Sequence, residues 1–353
     1  MRPLISTVNI RRAIKGTDTM TEMTTRERFH AVMEFRDFDR LPVVEWASWW
    51  DKTIERWRCE GLPSELKDQC DICRYFGQDV YHQFRYGGIY GNCPRPDTHG
   101  AGLVSNADDY ERLHQYFFQL EEINTDALEK VAASHRKGEI ATWFTFNGFF
   151  WLPRVFFGIE NHLYAFYDNP ELMHRMNLEN ADWMLKAIDK ICSVITPDFM
   201  TFAEDMSYNN GPMISKKLFD EFMKPYYKMV IPRLKDRGIK VFIDSDGDVH
   251  EPAGWFTEAG IQGILPLEAQ AGVDLSRLRN DNPEQLYIGG YDKMKMPFGE
   301  ESMRAEFERL LPVAKQGGYI ISCDHQTPPG VSLENYRIYM KLFNEYARKA
   351  GKQ

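Results

Sequence analysis

Eight short apolar, β-rich runs constrain this chain more than any other feature. Each ends in or just before a polar or acidic residue and is followed by a helical stretch. They are Leu41–Trp46, Asp79–Phe84, Ile140–Phe146, Phe199–Asp205, Ile239–Asp244, Ile261–Glu268, Leu286–Asp292 and Tyr319–His325. Strands alternating with helices predict parallel βαβ units, and eight such units in one domain predict a (β/α)8 TIM barrel. The helical stretches carry their own punctuation. Thr24 precedes Glu27 at the start of Thr24–Glu34, the spacing of a capping box. Ser215–Met223 runs into Pro225 and Tyr226–Asp236, which stops at Gly238. Glu300–Lys315 stops at Gly317-Gly318, and Leu333–Lys349 closes the chain.

The 353 residues suit one barrel over 24–353, preceded by a flexible leader over 1–23. With 43% hydrophobic residues a core is expected. A formal net charge of −9 argues against nucleic acid and anionic membrane as partners, and no apolar run approaches the ~18 residues of a membrane span. The start lacks the apolar segment of a secretion signal. A cytoplasmic protein with reduced thiols is therefore expected. Only Cys70 and Cys73 form a CxxC pair, with no second pair to complete a zinc ribbon.

Barrels of this kind place their chemistry at the C-terminal ends of the strands. The ends here read Glu45-Trp46, Asn147, Glu204-Asp205, Asp244-Ser245-Asp246, Glu268, Asp292 and Asp324-His325. A closed ring would turn these carboxylates toward one pocket, where they cannot all stay ionised without a cation, a proton or a basic partner. The sharpest cluster is Val241–Pro252, VFIDSDGDVHEP, with three carboxylates in five residues. Asp244 and Asp246 are two apart and share a face if the strand runs through them. They are the first candidates for chemistry, whereas Asp248 and His250 read as loop residues. Glu204 is a candidate metal ligand or general base. Cys323 and His325 suit zinc. The aromatic clusters after three of the strands offer Trp46, Trp49, Trp143 and Phe146 as an apolar substrate wall, with Asn147, Tyr208 and Arg85 as polar contacts. No P-loop, GxSxG elbow or GxGxxG turn is present.

The block from Glu204 to Val249 resembles the central block of the uroporphyrinogen decarboxylase superfamily, and most closely its cobalamin-dependent methyltransferase branch. The residues that carry the likeness are Ile214-Ser215, Phe219, Phe222, Pro225-Tyr226-Tyr227, Gly238 and Asp244-Ser245-Asp246-Gly247. The likeness extends from Thr24 to Arg348. It implies a (β/α)8 barrel, a metal site that activates the reacting group, and a separate corrinoid protein as methyl carrier. Where that branch has His-x-Cys, this chain has Asp244-Ser245-Asp246, and Cys323 stands at the last thiolate position. The implied metal is Zn2+ or another divalent cation, with Glu204, Asp244, Asp246, Cys323 and His325 as candidate ligands. The implied function is corrinoid-linked methyl transfer or demethylation of a small methoxylated aromatic or methylamine-type substrate. Asp244, Asp246, Glu204 and His325 would be the catalytic groups. The alternatives are a decarboxylase acting on a smaller substrate and a non-catalytic ligand-binding barrel. Uroporphyrinogen itself fits poorly, because Glu45 stands where an arginine motif would neutralise its carboxylates. A homodimer is compatible with this reading.

Overall fold

A computed structural model of the chain describes residues 22–352, apart from 90 and 92. The proposed leader therefore lies outside the described residues, except for Glu22 and Met23. Seven strands form one parallel sheet: β1 (Val80–Tyr86), β2 (Ile140–Asn147), β3 (Phe199–Ala203), β6 (Lys240–Asp244), β7 (Gly263–Leu265), β8 (Leu286–Tyr291) and β9 (Tyr319–Cys323), paired in that order. A small antiparallel hairpin, β4 (Ser207–Tyr208) with β5 (Gly211–Pro212), projects after β3. Helices follow the strands, and the sheet curls around its own core as a (β/α)8 barrel. β8 and β9 are buried along their whole length, as strands covered on both faces must be.

The first predicted strand, Leu41–Trp46, is extended but joins no ladder. It lies between β1 and β9 and closes the barrel largely through side chains. Asp79 N–H donates to Val43 O at 2.8 Å. The Glu45 carboxylate accepts from Cys323 N at 2.9 Å and from Ser322 Oγ at 3.0 Å, and Trp46 N donates to Ser322 Oγ at 3.1 Å. A buried side chain here satisfies backbone donors that a ladder would otherwise satisfy.

The helix Thr25–Met33 closes the N-terminal end of the barrel. Its capping box forms as the Thr24 and Glu27 spacing predicts. Phe29 stacks on Phe199 at 5.2 Å, and Phe199 stacks on Trp143 at 4.9 Å. This aromatic plug makes the lower lumen solid. Two buried carboxylates hold the helix and its flank in place. Asp79 receives Arg28 and Arg40, and Asp198 receives Arg26, His30 and His135.

Strand register sets what lies above the plug. In-register neighbours on parallel strands share a face. Gln83, Trp143 and Phe199 form the lower layer, and Arg85, Thr145, Thr201 and Phe242 lie one layer up. Asn147, Ala203, Asp244 and Leu265 form the layer at the mouth.

Candidate active site

The alternation that points Asp244 inward continues past the strand. Ser245 turns away and is fixed there. Its N–H donates to Leu265 O at 3.0 Å, and its Oγ accepts from Met206 N at 3.2 Å. Asp246 then faces the lumen beside Asp244. Gly247 has φ +83°, and a Cβ there would lie 2.6 Å from the Ser207 carbonyl oxygen, so the loop can press against the β4–β5 hairpin only with glycine. Gly247 N donates to Glu268 Oε2 at 3.1 Å. Asp248 Oδ1 accepts from His250 N at 3.0 Å and pairs with its Nδ1 at 2.6 Å, which is loop architecture. Together Ser207, Tyr208, Asn209, Asp246 and Glu268 line a cavity of about 590 Å3 at the mouth, within the size range of small-molecule sites.

Asp205 completes the acidic wall. It has φ +39°, a region that Asp tolerates better than most side chains. Its Oδ1 accepts from Asp246 N at 3.3 Å. Burial raises the pKa of Asp205. Asp244 is pushed well above the usual carboxylate range by burial and then by Asp205 and Asp246, with Arg85 opposing. Burial, followed by Asp205 and Glu268, lifts Asp246 to about 7 against the pull of Lys293. Like charges this close hold one another's protons.

The far rim holds a buried ion pair that is already made. Asp324 accepts from Lys293 Nζ at 3.0 Å and also from Ala269 N and Gln270 Nε2. The His325 Nδ1 accepts from Gln326 N at 2.8 Å, which leaves Nε2 as the proton-bearing nitrogen. Burial and Lys293 lower its pKa, so the ring is neutral. Trp46 stands edge-on to it at 6.1 Å and donates from Nε1 to Cys323 O at 2.7 Å.

A sequence profile of the uroporphyrinogen decarboxylase (URO-D) family matches residues 109–346. The chain belongs to this family. Among solved structures, a methyltransferase from Methanosarcina mazei is similar with a TM-score of 0.64 at 13% identity, covering 92% of this chain and 99% of that one. A candidate vitamin-B12-independent methionine synthase from Listeria monocytogenes gives 0.45 at 10% identity, covering 90% and 99%. At 13% identity the likeness to the methyltransferase is one of fold. No curated protein matches the chain. Among the described residues no helix is long and apolar enough to cross a membrane.

In this URO-D member several residues proposed from sequence stand elsewhere than expected. Glu204 points out of the lumen and caps the helix Trp151–Phe157. Its oxygens accept from Phe149 N and Phe150 N at 2.7 Å, from Trp151 N at 2.9 Å, and from the Tyr227 hydroxyl. Four bonds occupy a carboxylate's four acceptor positions. Gly148 makes room for it, since a Cβ there would lie 1.9 Å from Glu204 Oε1. Burial lifts Glu204 to about 7, against these bonds. Cys323 lies behind the barrel wall, its Sγ 3.9 Å from Tyr339 Oη, and burial followed by Glu45 raises its pKa well above that of an ordinary thiol. The five proposed ligands thus do not converge. Among the described residues no group of three or more His, Cys, Asp or Glu side chains is placed to hold a metal. As arranged, this donor set does not fit a single metal centre.

The aromatic wall is also redistributed. Trp143 belongs to the lower plug. Phe146 faces outward against Trp183 at 5.2 Å. Trp49 packs outside the barrel among Trp57, Phe76 and Tyr336. Large rings are drawn to wherever they bury most area, and here that is the core. Trp46 and Tyr208 remain at the rim, and Asn147 lies in the mouth layer with its Nδ2 donating to Gly87 O at 2.9 Å. Sequence reasoning named Asp205 and Glu268 among the strand-end carboxylates without choosing them as site residues, and it passed over Lys293. The period-two pattern through Thr201 and Ala203 would have selected Asp205 over Glu204. Lys293 opens the short 3-10 helix Lys293–Phe298 after its strand and carries no such signal.

Proposed function

We propose that this protein transfers a methyl group from the oxygen or nitrogen of a small substrate to a corrinoid carried by a separate protein, with acid assistance from the carboxyls at the barrel mouth. The observation that supports this reading is the trio Asp205, Asp244 and Asp246, which face one lumen: burial raises the pKa of all three and Asp205 raises Asp244 and Asp246 further, so that a proton stays available near neutrality. The reduced corrinoid supplies the nucleophile. As the methyl–heteroatom bond breaks, its electron pair stays on the heteroatom, and Asp246 delivers the proton that converts a poor leaving group into a neutral alcohol or amine. Asp205 and Glu268 hold Asp246 in its protonated form. Neutral His325 and the Lys293–Asp324 pair bound the far side and orient the substrate. A polycarboxylate such as uroporphyrinogen would bring further negative charge beside carboxyls that already cannot all ionise, which disfavours it as substrate.

Anaerobic incubation of the protein with cob(I)alamin and a panel of methoxybenzoates and methylamines tests this reading. The expected result is protein-dependent loss of the cob(I)alamin absorbance with a matching amount of demethylated product. Loss no faster than in protein-free controls across the panel would overturn it.

A further inference from the structure

The acidic wall has a counterpart across the lumen. Arg85 on β1 lies in register with Thr145 and Thr201, and two strands separate β1 from β6, which carries Asp244. The floor beside Arg85 is polar. Gln83 Nε2 donates to Thr145 Oγ1 at 2.8 Å, and the Thr145 and Thr201 hydroxyls lie 2.8 Å apart. Arg85 is exposed although its strand position faces inward, and it lines an open cavity together with Ser48, Asp68, Gln83 and Lys130. Arg26, Arg28 and Arg40 at the closed end all sit in ion pairs. Among the described residues Arg85 has none, and Asp244 feels its charge across the gap. On the acidic side the Ser207 hydroxyl is buried at the cavity wall and lacks a hydrogen-bond partner among the described residues.

We propose that Arg85 binds a carboxylate of the substrate. The methyl donor is then a small carboxylic acid that spans the mouth, with its methylated heteroatom presented to Asp246. This rests on the methyl-transfer reading for the second half of the statement only. A guanidinium offers two parallel donors to a carboxylate, which fixes orientation as well as affinity. The opposite wall, whose carboxyls already cannot all ionise, disfavours a second carboxylate, so the class is narrowed to acids that carry no second negative charge at the methylated end.

Calorimetric titration of the protein with benzoate, para-methoxybenzoate and dimethylglycine, each against its primary amide, tests the proposal without any corrinoid. At least one acid is expected to bind about 10-fold or more tightly than its amide, the scale of hydrogen bonds to a charged group. Arg85→Gln should abolish that preference and Arg85→Lys should keep part of it. Because Arg85 is exposed and unpaired, both variants should melt with the wild-type protein, which separates lost binding from lost fold. Equal binding of every acid and its amide, absence of binding by any of them, or a preference that survives Arg85→Gln would overturn the proposal. An intact preference without methyl transfer to cob(I)alamin sinks the functional reading and leaves this one standing. Demethylation of the amides as fast as the acids does the reverse.

Discussion

Asp246→Asn is expected to lower the rate of methyl transfer by about 100-fold or more, the contribution of a positioned general acid, and to abolish the pH dependence of the rate around neutrality. In the folded protein burial and the neighbouring Asp205 and Glu268 carry Asp246 to about 7. The protonated form is the working form, so wild-type activity is highest below that value and falls as pH rises through it. Asparagine keeps the shape but has no proton to give, so its residual rate should be flat with pH. Asp205→Asn should act differently. It removes a like charge, lets Asp246 ionise more readily, and moves the falling limb of the profile to lower pH while leaving an acid in place. Steady-state rates for the three proteins across pH 7 separate these outcomes. A falling limb that persists in Asp246→Asn would assign the acid to another group.

The largest effect on stability is expected from Asp198→Ala, a loss of about 3–5 kcal/mol, the range for removing one partner of a buried ion pair. Asp198 has no exposed side-chain surface. It receives Arg26 Nε at 2.8 Å, His30 Nε2 at 2.9 Å, His135 Nε2 at 3.2 Å and Thr142 N at 2.8 Å. Its removal leaves donors from two helices and a strand without their acceptor at the closed end of the barrel. These bonds hold its carboxyl well below the ordinary value of 3.8 despite burial. Its folded pKa is thus depressed. Its contribution is fully present well above the unfolded value and is lost as pH falls below it toward the folded one. Urea denaturation at neutral pH should show the full loss, and the gap between wild type and variant should close only in strong acid. A variant as stable as the wild type would mean that the Thr25–Met33 helix is held by its apolar face and the Arg28 ion pairs without help from Asp198.

Local and periodic features were the legible part of this chain. The capping box at Thr24 and Glu27 depends on four consecutive residues and formed as read. Seven of the eight apolar runs became strands because a parallel barrel needs continuous apolar stretches, which sequence displays directly. Leu41–Trp46 failed to pair as a strand because its closure runs through the Glu45 side chain, a long-range contact with Ser322 and Cys323 that no local pattern encodes. The site was half legible. Asp244 and Asp246 face the lumen because period two survives the strand end. Glu204 and Asp205 are adjacent acids, and only strand parity tells the helix cap from the lumen carboxyl. The aromatic clusters were least legible, since parity gives the face of a ring but not its height along the barrel. Trp143 points inward yet lies in the plug, too deep to meet a ligand at the mouth.

The claim that the mouth carboxyls keep a proton near neutrality is tested most directly by carbon-13 NMR of protein labelled at the aspartate carboxyls, titrated through pH 7. The account predicts an aspartate resonance that titrates near 7 and is missing from the Asp246→Asn spectrum. Complete ionisation of every aspartate below about pH 5, near the ordinary carboxylate range, would contradict it.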